Sequence, residues 1–332
     1  MTRELCTKAA LVPARVPARV PARALDSAHR LGLTVLLGSA FMLSCGGADK
    51  RHVELNFAAL IGAVPFSCGQ SYMLGTPAAS VQPTDLRLYV YDVSLVRADG
   101  TKVPLALDTD GQFQAQNVAM LDFEDATGTC HPPSQGGTTA THTKVVGTVE
   151  DHADYKGLHF RIGVPTELNH LNAAMQPPPL NVESMFWSWQ DGHILFASEW
   201  RTPISLGWQF RLAESLYQSE QHGCMGSHTT GYSCPNSFQP IVDLPSFDVA
   251  KDTVKLDLAP LFQQIDFART DFTPLDQPAS ANPADNATID YQPGCHSDEW
   301  DAECVSMFAA LGIDFLARSL PDPAKQTFAS KQ

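Results

Sequence analysis

The residues best suited to chemistry lie in one short segment that carries two tryptophans and a histidine. Residues 185–196 read Met-Phe-Trp-Ser-Trp-Gln-Asp-Gly-His-Ile-Leu-Phe. Alternate side chains of an extended strand share one face, so Trp187, Trp189, Asp191 and His193 are expected to line up. Two oxidisable indoles beside an imidazole indicate redox or metal chemistry, whereas a half-buried aromatic strand is the plainer alternative.

The other histidines differ in the sequence around them. His52 opens a strand pattern and His170 lies at a strand-to-helix turn, so these two and His193 are the candidate metal ligands at element ends. His159 alternates with apolar neighbours on a strand and is expected to face solvent. Six more lie in polar loop sequence and are expected to be solvated: His131, His142, His152, His222, His228 and His296.

An N-terminal export signal precedes all of these residues. A short apolar run follows Arg30 and ends in Leu43-Ser-Cys45-Gly, which resembles the lipobox of bacterial lipoproteins. The run is too short for a membrane-spanning helix. Residues 1–44 are therefore predicted to be removed, with Cys45 acylated as a lipid anchor and residues 45–51 as a tether; an ordinary secretory signal is the alternative. This predicts a periplasmic or outer-membrane location in which only the lipid touches the membrane.

Six cysteines remain after Cys6 in the leader and Cys45 at the lipidation point. An even number in an exported protein indicates disulfides. The short spacings favour local bridges, Cys224 with Cys234 and Cys295 with Cys304, which leaves Cys68 for Cys130. A soft-metal thiolate site is the alternative, although no Cys-x-x-Cys occurs.

Composition and missing motifs narrow the class of function. The formal net charge is −14, and the 1–44 segment is rich in arginine, so the exported part is more acidic still. Nucleic acid is excluded as a partner, because phosphate contacts need clustered Lys and Arg. The sequence has no Gly-x-Ser-x-Gly, no His-Glu-x-x-His and no Cys-x-x-Cys-His. Binding rather than catalysis is therefore expected, and the chain is predicted not to be an enzyme.

Most of the chain shows the period-two pattern of half-buried strands. We predict an all-β fold, a β-sandwich of about ten strands with few short helices and long irregular loops. A single domain is expected over 52–320, with a disulfide-braced C-terminal extension and a tail at 321–332. The predicted strands are 52–57, 86–96, 102–107, 112–121, 143–149, 157–164, 185–189, 195–199, 208–212 and 253–258; the loops are 130–143 and 272–293; the helices lie near 169–175, 259–265 and 302–311.

A series of motifs follows one another along the chain. They are Phe66-Ser-Cys68-Gly, Asp85-Leu-Arg-Leu-Tyr-Val, Leu121-Asp-Phe-Glu-Asp, Tyr155-Lys-Gly-Leu-His-Phe-Arg-Ile-Gly-Val-Pro165, Leu168-Asn-His170, Pro179-Leu-Asn181, Met185-Phe-Trp-Ser-Trp-Gln190 and Gly223-Cys224. In this order the motifs resemble the MbnP-like family, also called metallo-mystery pair four-Cys motif proteins. The resemblance runs from about His52 to Ile313.

The resemblance implies a periplasmic or surface protein that binds copper. It also implies a partner, a dihaem oxidase of the MauG-like or cytochrome c peroxidase-like kind, which oxidises a tryptophan to kynurenine. Trp187 and Trp189 match the motif that carries this tryptophan, and His170 matches the Asn-His element. The four cysteines of the family name correspond to Cys224, Cys234, Cys295 and Cys304, which brace loops.

The sequence departs from the family pattern after Trp208-Gln-Phe. Arg211 stands where relatives carry a histidine, and extra residues precede Gly223-Cys224. If that histidine is a ligand in relatives, His193, His222 or His228 is expected to replace it. The alternative is a structural or adhesive β-sandwich lipoprotein that has lost the metal site.

Overall fold

The computed structural model describes residues 49–151, 154–205, 207–215, 224–227, 229–234, 237–269, 294–297 and 301–332. Several predictions lie outside these residues: the leader, the lipidated Cys45, the histidines His152, His222 and His228, and the 272–293 loop. The described residues belong to one compact unit, Gly47–Gln332.

The described part of the chain is built mostly from strands, many of only two or three residues. The strands are β1 (Lys50–Ile61), β2 (Val64–Pro65), β3 (Tyr72–Leu74), β4 (Ala79–Arg97), β5 (Lys102–Pro104), β6 (Ala106–Leu107), β7 (Gln114–Ala115), β8 (Val118–Asp122), β9 (Lys144–Glu150), β10 (Tyr155–Ile162), β11 (Phe186–Ser188), β12 (Gly192–His193), β13 (Phe196–Arg201), β14 (Trp208–Leu212), β15 (Met225–Ser227), β16 (Gly231–Ser233), β17 (Ile241–Leu244), β18 (Thr253–Asp257), β19 (Gly294–Cys295) and β20 (Ala329–Lys331).

The helices are few and short, as the sequence predicts. They are α1 (Thr166–Asn169), α2 (Ala259–Phe262) and α3 (Cys304–Ala310), with single 3₁₀ turns at Pro133–Gln135, Ala173–Met175 and Glu183–Met185. No helix among the described residues is long and apolar enough to cross a membrane.

Two sheets form the sandwich. The smaller has the order β20-β18-β1-β9-β6, with β2 added to β1. The larger has the order β17-β10-β4-β13-β14-β19, with β3, β5 and β8 also paired to β4 and β7 to β8. The four remaining strands form two separate hairpins, β11-β12 and β15-β16. The all-β sandwich prediction is confirmed.

Strand β4 is the centre of the larger sheet, and both of its faces are buried. Leu88 pairs with Phe196 of β13, and Phe196 packs 5.2 Å, ring to ring, from Phe328 beside the smaller sheet. Within Leu86–Val90, residues of even number therefore face the core between the sheets. Arg87 and Tyr89 point to the outer face and are also buried, because loops and the β11-β12 hairpin cover them.

One histidine on the outer face of the larger sheet differs from the prediction that it faces solvent. His159 does point away from the core, yet it is buried rather than solvated. Its Nδ1 lies 2.6 Å from Asp243 of β17 and 2.9 Å from the Lys102 ammonium of β5. The alternation of a strand predicts the face of a side chain but not what covers that face.

The C-terminal region is part of the sandwich. The Cys295–Cys304 disulfide joins β19 to α3. Residues 321–332, expected as a tail, instead contain β20, which pairs antiparallel with β18, and Phe328 is buried. The segment is ordered in this way because β18 would otherwise have an unpaired edge and Phe328 fills the core between the sheets.

Candidate metal centre

Four residues that are distant in sequence meet at one end of the larger sheet. His170 follows α1, Glu214 lies just beyond β14, and Cys224 and Cys234 flank the β15-β16 hairpin. One potential ligand atom of each residue lies within 4.8 Å of the others. We call these four residues the His170 cluster.

The imidazole of His170 is held in a defined orientation. It is buried, and its Nδ1 lies 3.1 Å from the backbone carbonyl oxygen of Trp189. A carbonyl only accepts, so Nδ1 carries a proton, and in the neutral ring Nε2 presents its lone pair to the cluster. Nε2 lies 3.5 Å from Glu214 Oε2 and 3.5 Å from Cys234 Sγ. This is the tautomer that a metal-binding histidine needs.

Glu214 supplies a carboxylate with no exposed surface. Its Oε1 accepts a hydrogen bond from the Thr166 hydroxyl, and its Oε2 accepts one from Asn169 Nδ2 at 2.8 Å. Both donors come from α1 and are neutral. A buried carboxylate held by neutral donors favours a nearby positive charge, so Glu214 suits a cation beside His170.

Two aromatic side chains, Tyr232 and Trp189, lie next to the cluster, and we call them the aromatic wall. The Tyr232 ring stacks on the His170 ring with centroids 4.4 Å apart and planes 24° apart. Trp189 lies beyond it, 6.3 Å from Tyr232 between ring centroids, and is 48% exposed. Trp187, by contrast, is half-buried and packs against the core. Trp189 therefore contacts the cluster through its carbonyl, which bonds His170, and lies near Tyr232 through its ring.

The chain reverses between the tryptophans and His193, so the expected common strand face does not form. Phe186 of β11 pairs with His193 of β12, and the Ser188 hydroxyl donates to Asp191 Oδ2 at 2.7 Å inside the turn. Gly192 has a φ of +81°, a conformation that glycine adopts without steric cost. Asp191-Gly192 is a turn signal, which explains why the alternation stops there.

His193 connects two elements of the site but is not one of the four residues of the cluster. It is fully buried, with Nδ1 2.9 Å from the carbonyl oxygen of Asn169 and Nε2 3.0 Å from that of Leu180. Burial lowers its pKa, and both ring nitrogens face backbone carbonyls. The ring therefore links α1 to the β11-β12 hairpin.

The third predicted ligand, His52, lies on the other sheet. It is the third residue of β1 in the smaller sheet and is exposed, and its Nε2 lies 2.8 Å from Asp108 Oδ2. The structure thus brings His170 to the cluster, whereas His52 and His193 have other partners.

Arg211 has a partner of its own. Its guanidinium bonds the buried Glu199 carboxylate, with Nε donating at 2.9 Å. Glu199 also lies 3.2 Å from His131 Nε2. Burial alone would raise the pKa of Glu199, but the hydrogen bond from His131 and the charge of Arg211 outweigh it and lower this pKa to about 2. Arg211 therefore neutralises Glu199 and takes no place in the His170 cluster.

The disulfide pairing predicted from spacing is confirmed. Cys68 is bonded to Cys130, Cys224 to Cys234 and Cys295 to Cys304. A second group with ligand-like spacing, Cys295, Asp301 and Cys304, is likewise built on a disulfide. Bonded sulfurs are not thiolates, so in this state the His170 cluster offers one imidazole and one carboxylate.

Two members of the site were not predicted from the sequence. Glu214 and Tyr232 lie in segments without a recognisable motif, and only the fold brings them to His170. The Tyr232 register on β16, opposite Gly226 of β15, places its ring over the imidazole. The sequence signal that bears on Tyr232 is the pair Cys224 and Cys234, whose short spacing predicts a closed loop around it.

The fold and the cluster define a class: a disulfide-bridged β-sandwich with a buried histidine–carboxylate site under an aromatic wall. A family model described as MbnP matches residues 50–282, so the chain belongs to the MbnP family. A solved structure, MbnP from Methylosinus trichosporium, is similar with a TM-score of 0.68 and 28% sequence identity, over 85% of this chain and 98% of that one. No curated protein matches the chain.

Proposed function

We propose that this protein is an exported copper-binding protein that acts in copper homeostasis, and that the His170 cluster holds the metal. The observation that carries the proposal is the fixed His170 imidazole, whose Nε2 lies 3.5 Å from the buried Glu214 carboxylate. Imidazole suits copper as a ligand. The membership of the MbnP family supports the same function.

The donor set fits a bound cation. Glu214 is buried among neutral donors, so a metal ion beside it would balance its charge. His170 Nδ1 is committed to the Trp189 carbonyl, which keeps Nε2 available. The Tyr232 ring covers one face of the imidazole. In this proposal these residues bind and orient the copper ion, which is the cargo of the protein.

Trp189 is the residue that we propose to be oxidised to kynurenine by a dihaem MauG-like or cytochrome c peroxidase-like oxidase. It is 48% exposed, so a partner can reach its ring, and its own carbonyl bonds the metal-binding histidine. Hydrogen peroxide is the oxidant. Two peroxide molecules cleave the indole C2–C3 bond, adding two oxygens and leaving two waters, and hydrolysis then releases formate from the N-formyl product. The aniline nitrogen and carbonyl so formed lie beside the cluster.

Mass spectrometry tests this assignment. The protein is co-expressed with the dihaem oxidase, and the peptide that contains both tryptophans is analysed for gain of two oxygen atoms and loss of carbon monoxide relative to tryptophan. Trp187→Phe is expected to keep the modification and Trp189→Phe to abolish it. The reverse pattern assigns the chemistry to Trp187, and an unmodified peptide in wild-type protein contradicts the proposed oxidation altogether.

We also propose that the protein is exported and anchored by a lipid on Cys45. The Leu43-Ser-Cys45-Gly sequence supports acylation of Cys45 after removal of residues 1–44. Membrane fractionation is the test: wild-type protein is expected with the membranes and Cys45→Ala in the soluble exported fraction. Equal distribution of the two proteins would leave an ordinary secretory signal as the explanation.

A further inference from the structure

The Cys224–Cys234 disulfide differs from the other two in its surroundings. Cys68, Cys130, Cys295 and Cys304 are all at most 5% exposed, whereas Cys224 and Cys234 are both half-buried. A reductant can therefore reach this bridge in the folded protein while the other two are shielded. It is also the bridge that touches the metal centre, since Cys234 Sγ lies 3.5 Å from His170 Nε2.

We propose that Cys224 and Cys234 form a redox-gated metal site with His170 and Glu214. In the disulfide form, the cluster offers one nitrogen and one oxygen ligand. Reduction adds two thiolates and converts it into a four-ligand Cys₂-His-Glu site for a soft or borderline d¹⁰ cation such as Zn²⁺, Cd²⁺ or Cu⁺. The site uses His170 but does not depend on copper binding by the oxidised protein.

The distances already match a tetrahedral centre. Metal–nitrogen and metal–sulfur bonds of about 2.0–2.3 Å place neighbouring ligands of a tetrahedron about 3.3–3.8 Å apart. His170 Nε2 lies 3.5 Å from Cys234 Sγ and 3.5 Å from Glu214 Oε2. Two edges of the tetrahedron therefore exist, the four ligand atoms all lie within 4.8 Å of one another, and the two sulfurs must separate for a metal to enter.

The β15-β16 hairpin keeps the two cysteines together after the bond between them is broken. Met225 pairs with Ser233 at the end of the ladder, and Cys224 and Cys234 lie one position beyond this pair, with their Cα atoms 4.2 Å apart. The backbone hydrogen bonds of the ladder hold the two strand ends side by side, so the cysteines next to them remain neighbours. Ser215 Oγ, 3.2 Å from Cys224 Sγ, is placed to donate to the thiolate.

The electron and proton balance requires a dithiol reductant. One dithiol transfers two electrons and two protons to the Cys224–Cys234 bond, becomes a disulfide itself and leaves two thiols on the protein. Binding of a divalent cation then releases both thiol protons. Oxidation by a disulfide oxidant reverses the step and expels the metal, because the two thiolate ligands are lost.

Thiol counting and cadmium binding test the proposal on the full exported chain. After mild dithiol treatment and removal of the reductant, alkylation and peptide mapping are expected to find thiols at Cys224 and Cys234 first. Cd²⁺ titration of this form is expected to give ultraviolet thiolate charge-transfer absorption with one ion per chain, while the untreated disulfide form gives none. Early reduction of Cys68–Cys130 or Cys295–Cys304, or no absorption in the reduced form, would overturn the proposal.

Two controls separate this site from the copper site. Alkylation of the reduced wild-type protein is expected to abolish Cd²⁺ absorption without any mutation, and Cys224→Ser/Cys234→Ser is expected to do the same. The copper-binding test of the proposed function is made on the untreated disulfide form of the wild-type protein, so that failure of one site is distinguishable from failure of the other. His170→Asn is expected to weaken Cd²⁺ binding by the reduced protein at least tenfold; unchanged affinity would remove His170 from the site and contradict the four-ligand proposal.

Discussion

His170 donates from Nδ1 to the backbone carbonyl of Trp189 across 3.1 Å. This one hydrogen bond joins the residue proposed to bind metal to the residue proposed to be oxidised. It fixes the imidazole tautomer, and it fixes the position of Trp189 relative to Nε2. The family motif and the candidate ligand are thus parts of the same site, although nineteen positions separate them in the chain.

Replacement of His170 is expected to remove the metal, whereas replacement of the exposed His52 is not. His170→Asn eliminates Nε2 from the cluster, so copper affinity should fall at least about tenfold. His52 bonds Asp108 on the smaller sheet, which makes His52→Asn the matched control. Copper retained after desalting measures both. Copper retention at background in wild type and in both variants would favour the structural or adhesive β-sandwich instead.

Gly192 is expected to be essential for the β11-β12 hairpin. Its φ is +81°, and an added Cβ would lie 2.4 Å from Asn169 Nδ2, the group that bonds Glu214. Gly192→Ala should therefore lower the free energy of unfolding by about 2 kcal/mol or more and should weaken copper binding. Gly69→Ala is the control, since nothing lies within 4 Å of its added Cβ. Denaturant unfolding compares them, and equal midpoints would contradict the strained turn.

Features of this protein that depend on residues close together in the sequence could be predicted, whereas features that depend on contacts between distant residues could not. Period-two patterns predict the sandwich, because a strand face is a local property. Cysteine spacing predicts Cys224–Cys234, because a loop of ten residues brings its ends together. Glu214 and Tyr232 could not be predicted, since only the packing of strands distant in sequence places them at His170. Asp191-Gly192 carried a turn signal that the longer alternation obscured.

A buried group of acids on the outer face of β4 is expected to make stability depend on pH. Burial raises the pKa of Asp122 to about 7 and that of Glu124 to about 8. The Arg87 guanidinium bonds Asp85 and lies 3.6 Å from Glu124. A carboxyl whose pKa is raised on folding binds its proton more tightly in the native state, so native stability falls as pH rises through the interval between the unfolded and folded values.

The contribution of these two acids to the free energy of unfolding should therefore decrease from about pH 5 to about pH 8, by at most about 1.4 kcal/mol per pH unit for each group. The lowered pKa values of His193 and His142 act in the opposite direction at the acidic end of this interval, so the acids are tested by comparison with a variant. Glu199, with its pKa near 2, stays ionised throughout this interval and adds no slope. Glu124→Gln should flatten the profile and be more stable than wild type at the alkaline end. Glu54→Gln, on an exposed pair with Lys144, should leave the slope unchanged. A Glu124→Gln profile with the same slope as wild type would refute this account of the buried acids.

Arg211 is expected to matter for stability and not for metal. Arg211→Ala leaves the buried Glu199 with His131 as its remaining partner, which should cost about 2 kcal/mol of unfolding free energy and raise the pKa of Glu199. Copper retention should stay at the wild-type level, because Arg211 lies outside the His170 cluster. Arg201→Ala, exposed at the end of β13, is the control for loss of a surface charge. If Arg211→Ala folds normally but loses copper, the arginine has a place at the metal centre, and the separation between the Glu199 ion pair and the His170 cluster is wrong.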